Sequence, residues 1–215
     1  QGWDSSLTLS VNISPVQLRD PWFAQKLLKL LVTANFPANR LDIEITESCL
    51  HENTSGVHAL ITSLKNQGVT ISLDDFGSGY SSLSQLRTLP FDRIKIDRSF
   101  VTTMAHDRES ETIIETITAL GNGLHLPITA EGIESEEVLD KLNRLGGQIK
   151  GQGYLYGRPQ PAGQINEMLA ARASAADSDA PGDGSEAARQ AVADLAEARR
   201  TAKPQSPVGG KRRQA

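Results

Sequence analysis

A chain of 215 residues with 38% hydrophobic and 22% charged residues has the make-up of an ordinary soluble protein, long enough for one sizeable domain and a tail. A formal net charge of −4 excludes a broadly basic surface, so neither DNA nor RNA is an expected partner, whereas an acidic metal site fits. The single cysteine, Cys49, excludes an intrachain disulfide and a thiolate zinc cluster and points to a reducing, cytoplasmic compartment. No run approaches the ~18 apolar residues of a membrane helix, and Gln1–Ser10 lacks the regions of a signal peptide. No membrane contact is expected of this segment, although a parent protein anchored upstream stays open.

In chain order, β-branched runs predict strands at Leu7–Ser14, Leu41–Glu47, Val69–Phe76, Arg93–Phe100, Pro127–Glu134 and Gln148–Tyr156. Helical periodicity separates them, as in Val57, Leu60, Ile61 and Leu64, then Ile113, Ile114, Ile117, Leu120 and Leu124, then Val138, Leu142 and Leu145. Strict alternation of strand and amphipathic helix predicts right-handed crossovers and a parallel sheet. The fold class is therefore α/β, a TIM-like (β/α) barrel with six of its eight βα units present. Gln1-Gly2-Trp3-Asp4 reads as the end of a helix-to-strand loop, so the expectation is a chain shortened by two upstream units, with an open sheet edge. The barrel domain is assigned to residues 1–170. Residues 171–215, rich in Ala, Ser, Asp and Arg with little to bury, are expected to be a disordered tail. Within it, Ser185–Ala202 could form a transient helix, and Lys211-Arg212-Arg213 is a small basic end.

Alternation within the strands sorts residues between the two faces of the sheet. Leu41, Ile43 and Ile45 face the helices, leaving Asp42, Glu44 and Thr46 inward; the same phase puts Thr8, Ser10 and Asn12 inside. Thr70, Ser72 and Asp74 point in, as do Arg93, Lys95 and Asp97, and Thr129 with Glu131. A purely structural barrel fills its centre with Val, Ile and Leu, but this one fills it with polar groups. The charged ones lie late in their strands, at the C-terminal rim where barrel enzymes keep their sites. Any one acid taken alone reads best as a surface ion-pair partner or a helix cap; strands contributing in phase do not.

Crowded carboxylates repel one another, and a hard divalent cation resolves the conflict. Oxygen ligands from Asn, Glu and Asp suit Mg²⁺ or Mn²⁺ rather than zinc, and adjacent Asp74 and Asp75 could serve two ions. Lys95 adds a positive charge that makes sense if a phosphate or a metal-bound hydroxide must be held beside the metals. Gly77 and Gly79 give the following loop backbone freedom. The Asp75-Phe76-Gly77 triplet lacks the companion motifs of a kinase, and His51, His58, His106 and His125 show no ligand spacing, so they are read as surface or packing residues.

The blocks Val11-Asn12-Ile13-Ser14, Glu44-Ile45-Thr46-Glu47, Asp74-Asp75-Phe76-Gly77-Ser78-Gly79-Tyr80-Ser81-Ser82-Leu83, Lys95-Ile96-Asp97-Arg98-Ser99-Phe100, Glu131-Gly132-Ile133-Glu134 and Gln152-Gly153-Tyr154 occur in that order. With them the chain closely resembles the EAL family of bacterial cyclic di-GMP phosphodiesterases, from Val11 to about Pro161. The resemblance implies hydrolysis of cyclic di-GMP to linear pGpG. It implies Asn12, Glu44 and Asp74 on one metal, and Asp74, Asp75 and Glu131 on a second. It further implies Lys95 orienting the attacking water, Glu131 as proton acceptor, Glu47 steadying the Asp-Asp-Phe-Gly loop and Gln152 lining the guanine-nucleotide pocket. Asp97 and Glu134 look like supporting groups, and ordinary hydrogen bonds at strand ends would serve them equally well. A GGDEF or sensor domain upstream and a homodimer are the further partners it allows. The Glu-Ala-Leu motif that names the family is absent from this sequence. The expected consequence is a fragment of a competent enzyme, inactive or weak by itself. The alternative is a module that binds cyclic di-GMP or a protein partner without hydrolysis.

Overall fold

A computed structural model describes residues 7–50, 54–79, 83–146 and 149–178. The β-branched runs form strands β1 (Leu9–Asn12), β2 (Leu41–Thr46), β3 (Thr70–Phe76), β4 (Arg93–Ile96), β5 (Ile128–Glu131) and β6 (Ile149–Gln152). Helices are α1 (Pro15–Leu18), α2 (Phe23–Thr33), α3 (Thr54–Lys65), α4 (Leu83–Thr88), α5 (Arg98–Thr103), α6 (Arg108–Leu124), α7 (Glu136–Leu145) and α8 (Ala162–Ser178). All strand pairs are parallel and the sheet order follows the chain, β1-β2-β3-β4-β5-β6, which makes a six-stranded half-barrel.

The expected phase holds where the sheet has a neighbour on each side. Ile43, Ile45, Ile71, Leu73, Ile94 and Ile96 are buried on the outer face, in one core with Val57, Ile61 and Leu64 of α3, Ile114 and Ile117 of α6, and Val138 and Leu142 of α7. Each such side chain contributes about 1.5–3 kcal/mol by leaving water. On β1 the same face is open: Leu9 is 50% and Val11 38% exposed, because no helix among the described residues covers them.

Local chemistry sets the ends of the elements. Ser14 and Gln17 form a capping box on α1, Ser135 caps α7 through the Val138 N–H, and Asp107 caps α6 through the N–H groups of Glu109 and Ser110. Asp97 corrects the strand expected over Arg93–Phe100. β4 stops at Ile96, and the Asp97 carboxylate accepts from the Ser99 N–H at 2.6 Å to start α5. A carboxylate that can satisfy helical N–H groups ends a strand more decisively than the apolar residues beyond it can prolong one.

Contacts divide the chain into Gln1–Gln160, which holds the sheet, and Pro161–Ala215, which holds α8. The boundary expected between residues 170 and 171 falls inside α8, which continues to Ser178. Ala and Arg have high helix propensities, so the Ala-rich run 170–176 sustains the helix by its composition. Residues 179–215 lie outside the described residues, as do the transient helix expected over 185–202, the basic end at 211–213 and the first loop at 1–4.

Candidate metal centre

Late in the inner strands, four ionisable side chains meet. The Lys95 ammonium on β4 lies 2.8 Å from Glu44 Oε2 on β2 and 3.2 Å from Asp74 Oδ1 on β3, and pairs with Glu131 Oε1 on β5. Lys95 is 4% exposed, and Glu44 and Asp74 are buried with it. Parallel register explains the meeting: Lys95 is opposite Thr129, Thr46 opposite Asp74 and Glu44 opposite Ser72, so one inward row crosses the sheet in steps of two residues.

Asp75 should point away from Asp74 if β3 alternated strictly. Instead, β3 and β4 pair Leu73 with Ile94 and Phe76 with Ile96, leaving two β3 residues, Asp74 and Asp75, against Lys95 alone. This is a β-bulge. Asp75 takes the extra step in the left-handed region, at φ 54°, and its carboxylate turns back to the site. Oxygens of Asp74, Asp75 and Glu131 thereby lie within 4.8 Å of one another. Sequence alternation missed this turn; the nearest local signal was the glycine-rich Gly77-Ser78-Gly79 that follows.

Burial and the charges of Asp74, Asp97 and Glu44 raise the proton affinity of Asp75, against the pull of Lys95. Glu131 is raised as well, by burial first, with Asp74 and Glu44 adding repulsion and Lys95 opposing it. For Lys95, burial disfavours the ammonium, but hydrogen bonds to Glu131 and Glu44 and the charge of Asp74 outweigh it and push its pKa above the usual lysine range. The ammonium form of Lys95 is thus favoured, and a single cation faces the four carboxylates of Glu44, Asp74, Asp75 and Glu131. An all-oxygen cluster with that deficit fits a hard divalent cation.

The other candidates fall around this centre. Asn12 ends β1 opposite Glu44 and is exposed; Gln152 ends β6 opposite Glu131 and is also exposed. Buried Glu47, just past β2, accepts at Oε2 from the Gly77 N–H at 3.1 Å, and a side chain at Gly79 would press on its Oε1. Asp97 caps α5, and Glu134 pairs with Arg98 at 2.6 Å on the surface. Arg98, which drew no role from the sequence, lies against Gly132 so closely that a Cβ there would meet its side chain, and its guanidinium is 5.7 Å from the Tyr154 ring centre. His58, His106 and His125 are exposed and His51 lies outside the described residues, while Cys49 is buried 3.0 Å from Thr46 Oγ1. Tyr80, Ser81 and Ser82 of the long motif also lie outside them.

The EAL domain family model matches residues 1–159. The bifunctional diguanylate cyclase/cyclic di-GMP phosphodiesterase MucR of Pseudomonas aeruginosa is 38% identical over 169 residues, which is 79% of this chain and 24% of MucR. The MucR phosphodiesterase in complex with cyclic di-GMP superposes with a TM-score of 0.70 at 39% identity, over 74% of this chain and 64% of that one. BlrP1 of Klebsiella pneumoniae, in its manganese and cyclic di-GMP complex, aligns with a TM-score of 0.65 at 27% identity, over 71% of this chain and 39% of BlrP1. The chain spans about a fifth to a quarter of the first curated relatives it matches, 20% to 24% of their length. Among the described residues, no helix is long and apolar enough to cross a membrane.

Proposed function

The chain belongs to the EAL domain family, and from that membership we propose that the protein carrying it hydrolyses cyclic di-GMP to linear pGpG in the cytoplasm. The observation that carries the reading is the meeting of buried Glu44 and Asp74 with half-buried Asp75 and Glu131 beside a lysine whose hydrogen bonds to Glu131 and Glu44 favour its ammonium form. Such a site binds a phosphodiester only with help from cations, since its own carboxylates repel phosphate.

Asn12, Glu44 and Asp74 would hold one Mg²⁺ or Mn²⁺ ion, and Asp74, Asp75 and Glu131 a second. Bound there, such ions supply electrophilic stabilisation of the charge that builds on a phosphoryl group. Lys95 contributes a positive charge with three donors and orients water for in-line attack. Glu131, whose burial raises its proton affinity, accepts the proton of that water. A P–O bond forms, the bond to one ribose 3′ oxygen breaks, and that oxygen leaves with a proton, giving a linear dinucleotide with a 5′ phosphate. Gln152 lines the guanine pocket, Glu47 holds the Gly77 turn beneath Asp75, and Asp97 and Glu134 steady the loops at the strand ends. A diguanylate cyclase (GGDEF) or sensor domain upstream, as the name of MucR suggests for that protein, and a homodimer complete the proposed setting.

Incubating the full-length protein with cyclic di-GMP and Mn²⁺, and following pGpG by chromatography, tests the reading. Release of pGpG that stops on chelation is the expected result. Cyclic di-GMP binding with bound Mn²⁺ but no pGpG would refute hydrolysis and establish the non-catalytic module instead.

A further inference from the structure

We infer that Asp42, Ser72 and Arg93 form a positioning clamp that sets the spacing of Glu44, Asp74 and Lys95; this rests on the metal-site reading above. Each clamp residue lies two positions before its partner on the same strand, so the three side chains form the layer directly under the site. The Ser72 hydroxyl sits 2.8 and 2.9 Å from the two Asp42 carboxylate oxygens, and Arg93 Nη1 donates to Asp42 Oδ2 at 3.1 Å. Arg93 on β4 reaches Asp42 on β2 across the whole width of β3, with Ser72 of β3 held between them. One ion pair therefore ties together the three strands that carry Glu44, Asp74 and Lys95.

Stability alone does not ask for this layer. Asp42 is 2% exposed and Ser72 wholly buried, at a level where barrel interiors ordinarily hold branched apolar residues. Burying the Asp42 carboxylate beside a half-buried guanidinium costs desolvation that their attraction often fails to recover, and well-packed apolar replacements are commonly as stable or more so. An ion pair gives something apolar packing does not: directional bonds that fix lateral strand spacing and register. Immediately above it, the Lys95 ammonium must reach carboxylates on three other strands, two of them within the clamp, and metal ligands tolerate little displacement. The clamp stops at β4. Thr129 of β5, beneath Glu131, is buried with no hydrogen-bond partner for its Oγ1, and Arg93 Nε is likewise unpartnered. Glu131 is placed separately, by the turn in which the Ile133 N–H donates to the Gln152 carbonyl and the Leu155 N–H to the Ile133 carbonyl.

The test uses the full-length protein and reads Mn²⁺ affinity by calorimetry beside thermal unfolding and pGpG release. Asp42→Asn should weaken Mn²⁺ binding by ~10–100-fold, the range of losses when groups supporting metal ligands are altered. Val57→Ala on α3 supplies a destabilised control outside the site and should leave affinity unchanged. The decisive variant is the double replacement Asp42→Leu with Arg93→Met. It should recover thermal stability yet keep the weakened Mn²⁺ affinity, whereas Arg93→Lys, which keeps a cation for Asp42, should retain affinity between that of Asp42→Asn and wild type. Wild-type affinity in both Asp42→Asn and the double variant would overturn the clamp. Wild-type protein that binds no Mn²⁺ would overturn the metal centre and the clamp with it, while Mn²⁺ binding without pGpG release would refute only hydrolysis.

Discussion

Strands β2 to β5 and the two flanking strands handle the same chemistry in opposite ways. In the middle, each strand has a neighbour on both sides, and Asp42, Glu44, Asp74 and Lys95 are buried among their counter-charges. On the flanks, β1 and β6 each pair on one side among the described residues, and Asn12 and Gln152 stand exposed. The difference shows which part of the site is organised by the strands themselves. A buried charge must be compensated within the sheet, so the middle holds its geometry through mutual need, whereas an exposed amide can be satisfied by water and is held by its backbone alone.

The hardest blow to the middle is Lys95→Met. It leaves Glu44, Asp74 and Glu131 facing one another, and breaking a buried pair in this way typically costs ~3–5 kcal/mol. Denaturant unfolding in the presence of chelator should show that loss and Mn²⁺ should recover much of it, while turnover falls by ~10²–10³-fold. Unchanged stability in chelator would mean that the middle is not held by charge. A smaller effect is expected from Glu47→Ala, which removes the hydrogen bond from the Gly77 N–H and should cost ~0.5–1.5 kcal/mol by the same measurement. The smallest comes from the flank: Asn12→Ala should change stability by no more than ~0.5 kcal/mol and still weaken Mn²⁺ binding. If it destabilised the fold as Lys95→Met does, the contrast between flank and middle would collapse.

Much of this division was legible in the sequence because a period of two is unambiguous wherever one face must be apolar. Ile43, Ile45, Ile71 and Ile94 are fully buried, and their alternate neighbours meet inside as the phase required. The same reading placed Asp42, Ser72 and Arg93 inward without showing that they bond to each other. That depends on the reach of an arginine across an intervening strand, which no local pattern encodes. Asp97 was read as strand because Ile94 and Ile96 precede it in phase, and only its hydrogen bond to the Ser99 N–H turns the chain. Alternation also fails at Asp75, where the partner strand supplies one residue fewer; single-strand periodicity has no means of seeing its neighbour. The open outer face at Leu9 and Val11 is a tertiary matter of the same kind, set by what covers the strand.

The extra residue of β3 carries one more consequence, in the currency of insertions and deletions. Removing Asp75 alone would leave Leu73, Asp74 and Phe76 opposite Ile94, Lys95 and Ile96, a regular ladder with every other side chain on its present face. The strand pairing would thus survive the gap, which would release the ~1–3 kcal/mol that a left-handed non-glycine residue typically stores and would also remove the two hydrogen bonds that Ser78 donates to the Asp75 carbonyl. Strand pairing alone therefore does not fix the length of β3 at this point. A chain one residue shorter here would keep a single aspartate where two now stand, and the cluster of Asp74, Asp75 and Glu131 would lose one of its three carboxylates.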